Sequence, residues 1–113
     1  MKRIVVKIGT QCLIDRLGYV RQDVIADVMN QVICLKKRGF AVLLVTSGAV
    51  ATGKALLKRA PQFLNSRLES KVAFSLGMPR LFNAYQERAD QDGLLCAQVL
   101  LTKNDFKTRD RYL

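Results

Sequence analysis

The chain contains no histidine, no tryptophan and only two prolines, and its 9 acidic residues face 19 basic ones. The missing histidine removes imidazole general bases, Ser-His-Asp triads and imidazole metal ligation together. Any catalysis falls to lysine, carboxylates, hydroxyls and backbone N–H groups. Cysteine is sparse: Cys12, Cys34 and Cys96 are odd in number and their spacing fits no zinc motif. They read as free thiols of a reducing compartment, so a cytoplasmic location is expected. Cys34 and Cys96 read as core residues, and Cys12 lies close to a glycine turn. No apolar run is long enough to cross a bilayer. Met1-Lys2-Arg3 is charged and the apolar run after it is broken by Lys7, the mark of an opening strand rather than a signal peptide. A membrane partner is not expected.

Half of the 113 residues are hydrophobic, enough to bury a globular core, and the length suits one domain or part of one. The net charge of +10 makes an anionic partner the first to consider. The basic residues are scattered. Their one cluster, Lys36-Lys37-Arg38, falls where a helix should end and cations favour its dipole. Aromatic residues do not interleave with the basic ones, which argues against nucleic-acid stacking. A basic anion- or nucleic-acid-binding module without catalysis stands as the alternative reading.

Residues 3–8 and 40–46 are nearly continuous apolar runs, which predicts two strands of a parallel sheet covered on both faces. Between them, Ile25, Val28, Met29, Val32 and Leu35 follow helical spacing over Gln22–Arg38, with Asp23 and Asp27 near the start and Gly39 as the stop. Residues 9–21 read as a loop. A helix is expected to open at Ser47 and run toward Lys58, with Pro61 ending that region. Residues 66–91 read as largely helical, interrupted at Gly77-Met78-Pro79 by a kink or by a break at which Pro79 starts a second helix. Leu94–Leu101 reads as a third strand, 102–105 as a loop and 108–113 as a helix start. The fold class is therefore α/β, a parallel sheet with helices on both faces. The last helix has barely begun at Leu113, so the chain is expected to be one partial domain over 1–113.

Both apolar strands run into glycine turns: Ile4-Val5-Val6-Lys7-Ile8-Gly9-Thr10 and Val42-Leu43-Leu44-Val45-Thr46-Ser47-Gly48-Ala49. Parallel strands present their carboxyl ends on one edge, where ligands bind. A glycine turn that opens a helix offers N–H groups to phosphate or carboxylate. Lys7 sits in an apolar strand, where an unpaired charge is costly. It either snorkels to the strand end or contacts phosphoryl oxygens, and the adjacent Gly9 favours the second. Ser47 reads as an N-cap that can also face a ligand, with Gly48 and Ala49 supplying N–H groups. Gly48-Ala49-Val50-Ala51-Thr52-Gly53-Lys54 matches the first seven positions of a P-loop. The eighth is Ala55, without the magnesium-holding hydroxyl, and the interior prefers helix, so Gly53 reads as a site of close packing. Asp105, Arg109, Asp110 and Arg111 follow the third strand on the same edge. A capped, charged helix start explains them, with Asp105 the exception worth keeping.

Val5-Val6-Lys7-Ile8-Gly9-Thr10 and Val45-Thr46-Ser47-Gly48-Ala49-Val50-Ala51-Thr52-Gly53 resemble the opening of the amino acid kinase family. Ala97-Gln98-Val99-Leu100-Leu101-Thr102-Lys103-Asn104-Asp105-Phe106, then Arg109-Asp110-Arg111-Tyr112-Leu113, resemble its glutamate 5-kinase branch rather than the acetylglutamate, aspartate or uridylate kinases. The resemblance runs through essentially the whole chain in one register. It implies transfer of the ATP γ-phosphoryl group to the side-chain carboxylate of L-glutamate, the first step of proline biosynthesis, with ATP and Mg²⁺ as cofactors. It implies Lys7 as the catalytic, phosphate-contacting lysine, Gly9 and Thr10 as its nucleotide-side turn, and Ser47, Gly48 and Ala49 as the glutamate side. A carboxylate nucleophile is already ionised at neutral pH, which agrees with the missing histidine. The chain departs from the family at Gln11 and Cys12, where serines are usual, at Ser70-Lys71, where Lys-Gln is usual, at Met78 after Gly77, where Gln is usual, and at Pro79. The resemblance also implies a substrate-side half without its nucleotide-binding half, inactive alone. Half of a doubly covered sheet leaves an unpaired strand edge and an apolar face, so self-association through the exposed edge, or pairing with a missing half, is expected.

Overall fold

The structure, a computed structural model, describes residues 2–99. Strand β1 (Lys2–Ile8) leads through a helical turn, α1 (Thr10–Leu13), into helix α2 (Gln22–Lys37) and strand β2 (Phe40–Thr46). Helix α3 (Ala49–Leu57), a 3₁₀ turn over Pro61–Phe63 and helix α4 (Glu69–Gln91) follow. The two strands pair in parallel from Lys2 opposite Phe40 to Ile8 opposite Thr46, so both chains leave the sheet at the same edge.

Helix α2 begins and ends almost where its side chains dictate. Asp23 lies in its first turn and Lys36 and Lys37 in its last, each favourable to the dipole. Gly39, at φ +88°, takes the left-handed conformation just after the end. Ile25, Met29 and Val32 are the buried stripe. Cys34 is exposed, a correction to its reading as core. It sits nine residues from Ile25, about 180° around a helix that turns about 100° per residue. Cys96 is only partly buried.

The core gathers Leu13 and Ile14, the α2 stripe, and Leu81, Ala84, Tyr85 and Ala89 of α4 under Ile8, Val42 and Leu44 of the sheet. Leu13, Ile25, Leu57 and Leu81 are fully buried, each worth about 1.5–3 kcal/mol by removal from water. The sheet face carrying these contacts is covered. On the other face Val5, Leu43 and Val45 are 63%, 59% and 43% exposed, so cover on both faces is met on one of them among the described residues.

Three local expectations change. The 9–21 loop holds α1 and a small hairpin, closed by an antiparallel bridge between Ile14 and Val20 and by Asp15, whose carboxylate accepts from the Leu17 and Tyr19 N–H groups. Helix α4 runs unbroken through Pro79, which therefore starts no second helix. The proline costs about 3 kcal/mol locally. Burial of Ala73, Gly77, Leu81, Ala84, Tyr85 and Ala89 along both halves holds the helix together. Leu94–Val99 forms no strand: Leu94 and Cys96 pack on the core while Leu95 stands fully exposed, without a ladder partner among the described residues. β-favouring side chains alone do not supply that partner. The remaining expectations over 100–113, with Asp105, Arg109, Asp110 and Arg111, lie outside the described residues.

Candidate functional site

The carboxyl ends of β1 and β2 meet at their hydroxyls. Thr10 Oγ1 donates to Ser47 Oγ at 3.0 Å, and Ser47 Oγ donates to the Ile8 carbonyl at 3.2 Å. The Ser47 N–H reaches the same carbonyl at 3.1 Å. Two turns 37 residues apart in sequence are thus stitched side by side. Ser47 spends both donors internally. The donors left over belong to the start of α3, where Gly48, Ala49, Val50 and Ala51 precede the first intrahelical acceptance by Gly48 from Thr52. No side chain caps that end. The cap position is Gly48, not Ser47, because its φ of +114° is a conformation that a side chain resists. A Cβ there would also press to 3.0 Å from Ile14.

Gly9 is glycine for a different reason. Its φ of −83° is open to any residue, and an added Cβ would find nothing within 4 Å. Neither backbone nor packing demands glycine, and the gap leaves open space at the strand end. Lys7 lies on the open sheet face opposite Val45 and is exposed. Among the described residues no carboxylate comes within ion-pair distance of it. Its ammonium is free to meet an anion at this edge. Lys7, Gly9, Thr10, Ser47, Gly48 and Ala49 therefore occupy one sheet edge. Two shallow hollows, about 350 Å³ beside Asn30, Gln31, Cys34 and Leu35 and about 190 Å³ between α2 and α4, do not touch it.

The P-loop pattern is helix from Ala49 onward, as its interior residues predict. Gly53 would, with a Cβ, lie 1.6 Å from the Ala73 carbonyl oxygen, and Gly77 1.8 Å from that of Ala49. The two glycines let α3 and α4 cross backbone to backbone, and α4 thereby fixes where α3 starts.

Two residues escape sequence reasoning. Thr46 Oγ1 shares a 2.9 Å hydrogen bond with the Tyr85 hydroxyl and donates to the Ser47 carbonyl at 3.3 Å. Either hydroxyl can be the donor in that bond; when Thr46 gives its one proton to the Ser47 carbonyl, Tyr85 donates. Burial pushes the Tyr85 phenol above its ordinary range, and the Thr46 hydrogen bond offsets part of that. The available signal was a tyrosine on the buried stripe of α4, since a buried phenol needs a partner.

The sequence profile of the amino acid kinase family matches residues 2–113. The chain belongs to the amino acid kinase family. It is 35% identical over 113 residues to a glutamate 5-kinase of Trichlorobacter lovleyi, covering 100% of this chain and 30% of that protein. It is 36% identical over 112 residues to a glutamate 5-kinase of Chlorobaculum tepidum, covering 99% and 31%, and 38% identical over 112 residues to one of Bartonella henselae, covering 99% and 29%. The chain thus spans about 30% of the length of these curated relatives. As an amino acid kinase family member it carries, at one sheet edge, both glycine turns on which the resemblance rested. No helix among the described residues is long and apolar enough to cross a membrane.

Proposed function

We propose that this chain supplies the glutamate-facing edge of a glutamate 5-kinase, which transfers the ATP γ-phosphoryl group to the side-chain carboxylate of L-glutamate in the cytoplasm, the opening step of proline biosynthesis. The observation that carries the reading is the Thr10–Ser47 hydrogen bond, which brings the two glycine turns together. In this reading the Lys7 ammonium neutralises charge developing on the transferred phosphoryl oxygens. The uncrowded backbone at Gly9 lets the nucleotide's phosphates approach closely, with Thr10 beside it. Ser47, Gly48 and Ala49 hold glutamate, the N–H groups at the start of α3 receiving a carboxylate. Ser47 must turn its hydroxyl proton from the Ile8 carbonyl toward the substrate to join them. Attack is in line, by a carboxylate that needs no base.

ATP fits the open, cationic edge. The described residues bring no three acidic or thiol side chains together, so Mg²⁺ would be held chiefly by the nucleotide's own phosphates. The 113 residues are about 30% of the relatives' length, so turnover is assigned to a longer or assembled form, and self-association through the sheet edge is part of this proposal. Hydroxylamine trapping of glutamyl phosphate, with Mg-ATP and glutamate, tests it. A protein extended to the relatives' length should yield product that vanishes with Lys7→Ala, and the 113 residues alone should yield none. Product unaffected by Lys7→Ala would overturn the role of Lys7.

A further inference from the structure

We propose that Tyr85 is a positioning residue for this edge: its phenol, through Thr46, holds the turn at Ser47-Gly48 from which α3 is launched. The inference for glutamate rests on the function proposed above, whereas the inference for the turn does not. Tyr85 is 4% exposed and packs in the core with Leu81, Ala84 and Ala89, so its ring has little freedom to leave. With the Thr46 proton turned toward the Ser47 carbonyl, the chain runs from Tyr85 Oη to Thr46 Oγ1 and from Thr46 Oγ1 to that carbonyl. The turn is therefore clamped from two sides. Ile8, the last residue of β1, and Thr10, the first of α1, hold the Ser47 amide and hydroxyl. From α4, Tyr85 holds Thr46, whose hydroxyl reaches the Ser47 carbonyl. The same helix touches the start of α3 directly, because Gly77 leaves no room between itself and the Ala49 carbonyl. Helix α4 thus grips both the last residue of β2 and the first of α3, and the left-handed Gly48 between them has no independent setting.

The test is amide hydrogen exchange by NMR on the 113-residue chain and its Tyr85→Phe, Thr46→Val and double variants. Phenylalanine keeps the ring and deletes only the donor. The informative amides are Ser47, bonded to Ile8, and Thr52, bonded to Gly48, with Met29 in the α2 stripe as the reference for global unfolding. One lost hydrogen bond should speed exchange at Ser47 and Thr52 by about fivefold to tenfold beyond any change at Met29. Thr46→Val should do the same, and the double variant should add little to either. Equal acceleration at all three amides, no acceleration, or simple additivity would overturn the proposal, because each is what a merely structural tyrosine produces. A parallel glutamate titration separates the two readings. Glutamate uptake weakened in Tyr85→Phe by a like factor joins the clamp to the substrate. No uptake by the parent chain counts against the function proposed for it, while the exchange data still decide the clamp.

Discussion

Replacing Gly77 with alanine should destabilise this protein although the same change on an exposed helix would strengthen it. The helix-propensity gain is about 1 kcal/mol. Against it stands the α3–α4 crossing. A Cβ on Gly77 would lie 1.8 Å from the Ala49 carbonyl oxygen and 2.8 Å from the Gly53 nitrogen, where ordinary contact begins at 3.4 Å. Both obstacles are backbone, so no side chain can rotate away and the helices must separate by more than an ångström. Overpacking of well-packed interiors costs about 1–3 kcal/mol, and this case belongs at the upper end. The net loss is then about 2 kcal/mol, or a melting temperature lower by about 8 °C at this chain length. Urea and thermal unfolding followed by circular dichroism measure it. Gly9→Ala is the internal control, because that position has an ordinary φ and an empty surrounding, and it should move stability by less than about 0.5 kcal/mol. Gly77→Ala as stable as the parent, or more stable, would refute the close crossing and with it the argument that α4 sets the start of α3.

Other perturbations follow from single features. Gly48→Ala forces a side chain into φ +114° against Ile14 and should cost about 1–2 kcal/mol, read by the same denaturation. Burial raises the Tyr85 phenol above its ordinary 10.0, so folding favours the neutral form; that contribution is complete below pH 10 and is lost as pH climbs through the folded value. Unfolding free energy should fall above pH 10, less steeply in Tyr85→Phe, and a partly buried Cys96 thiol, also raised, should begin a similar loss above its ordinary 9.0. Leu43→Thr with Val45→Thr on the open sheet face keeps β-favouring side chains, should leave stability within about 1 kcal/mol, and should reduce concentration-dependent association by light scattering. Unchanged association would remove that face from any interface.

The parts legible in the sequence are those whose information is local. The apolar runs of β1 and β2 and the stripe of α2 announce themselves by period, and their observed ends fall within one residue of the expected ones. The packing role of Gly53 was legible because an alanine-rich interior cannot open into a phosphate loop. What escaped was tertiary. Pro79 survives inside α4 because burial on both sides outweighs its local cost. Leu94–Val99 has the composition of a strand but lacks a ladder among the described residues, and composition cannot supply one. Cys34 belongs to a side-chain type that favours cores, but its phase on α2 puts it on the exposed side, away from Ile25. Tyr85 meets Thr46 across 39 residues, a pairing no spacing rule encodes. Of the candidate site, the turns and their residues were legible, while the hydroxyl chain that joins them and the occupied state of the Ser47 proton belong to the fold.

The most direct test of the paired-turn site is an NMR titration of the 113-residue chain with L-glutamate and, separately, with Mg-ATP. The expected result is glutamate-dependent shifts at Ser47, Gly48 and Ala49, nucleotide-dependent shifts at Lys7, Gly9 and Thr10, and loss of the first set in Ser47→Ala. Shifts confined to the hollow between α2 and α4, or no shift at either turn at millimolar ligand, would contradict it.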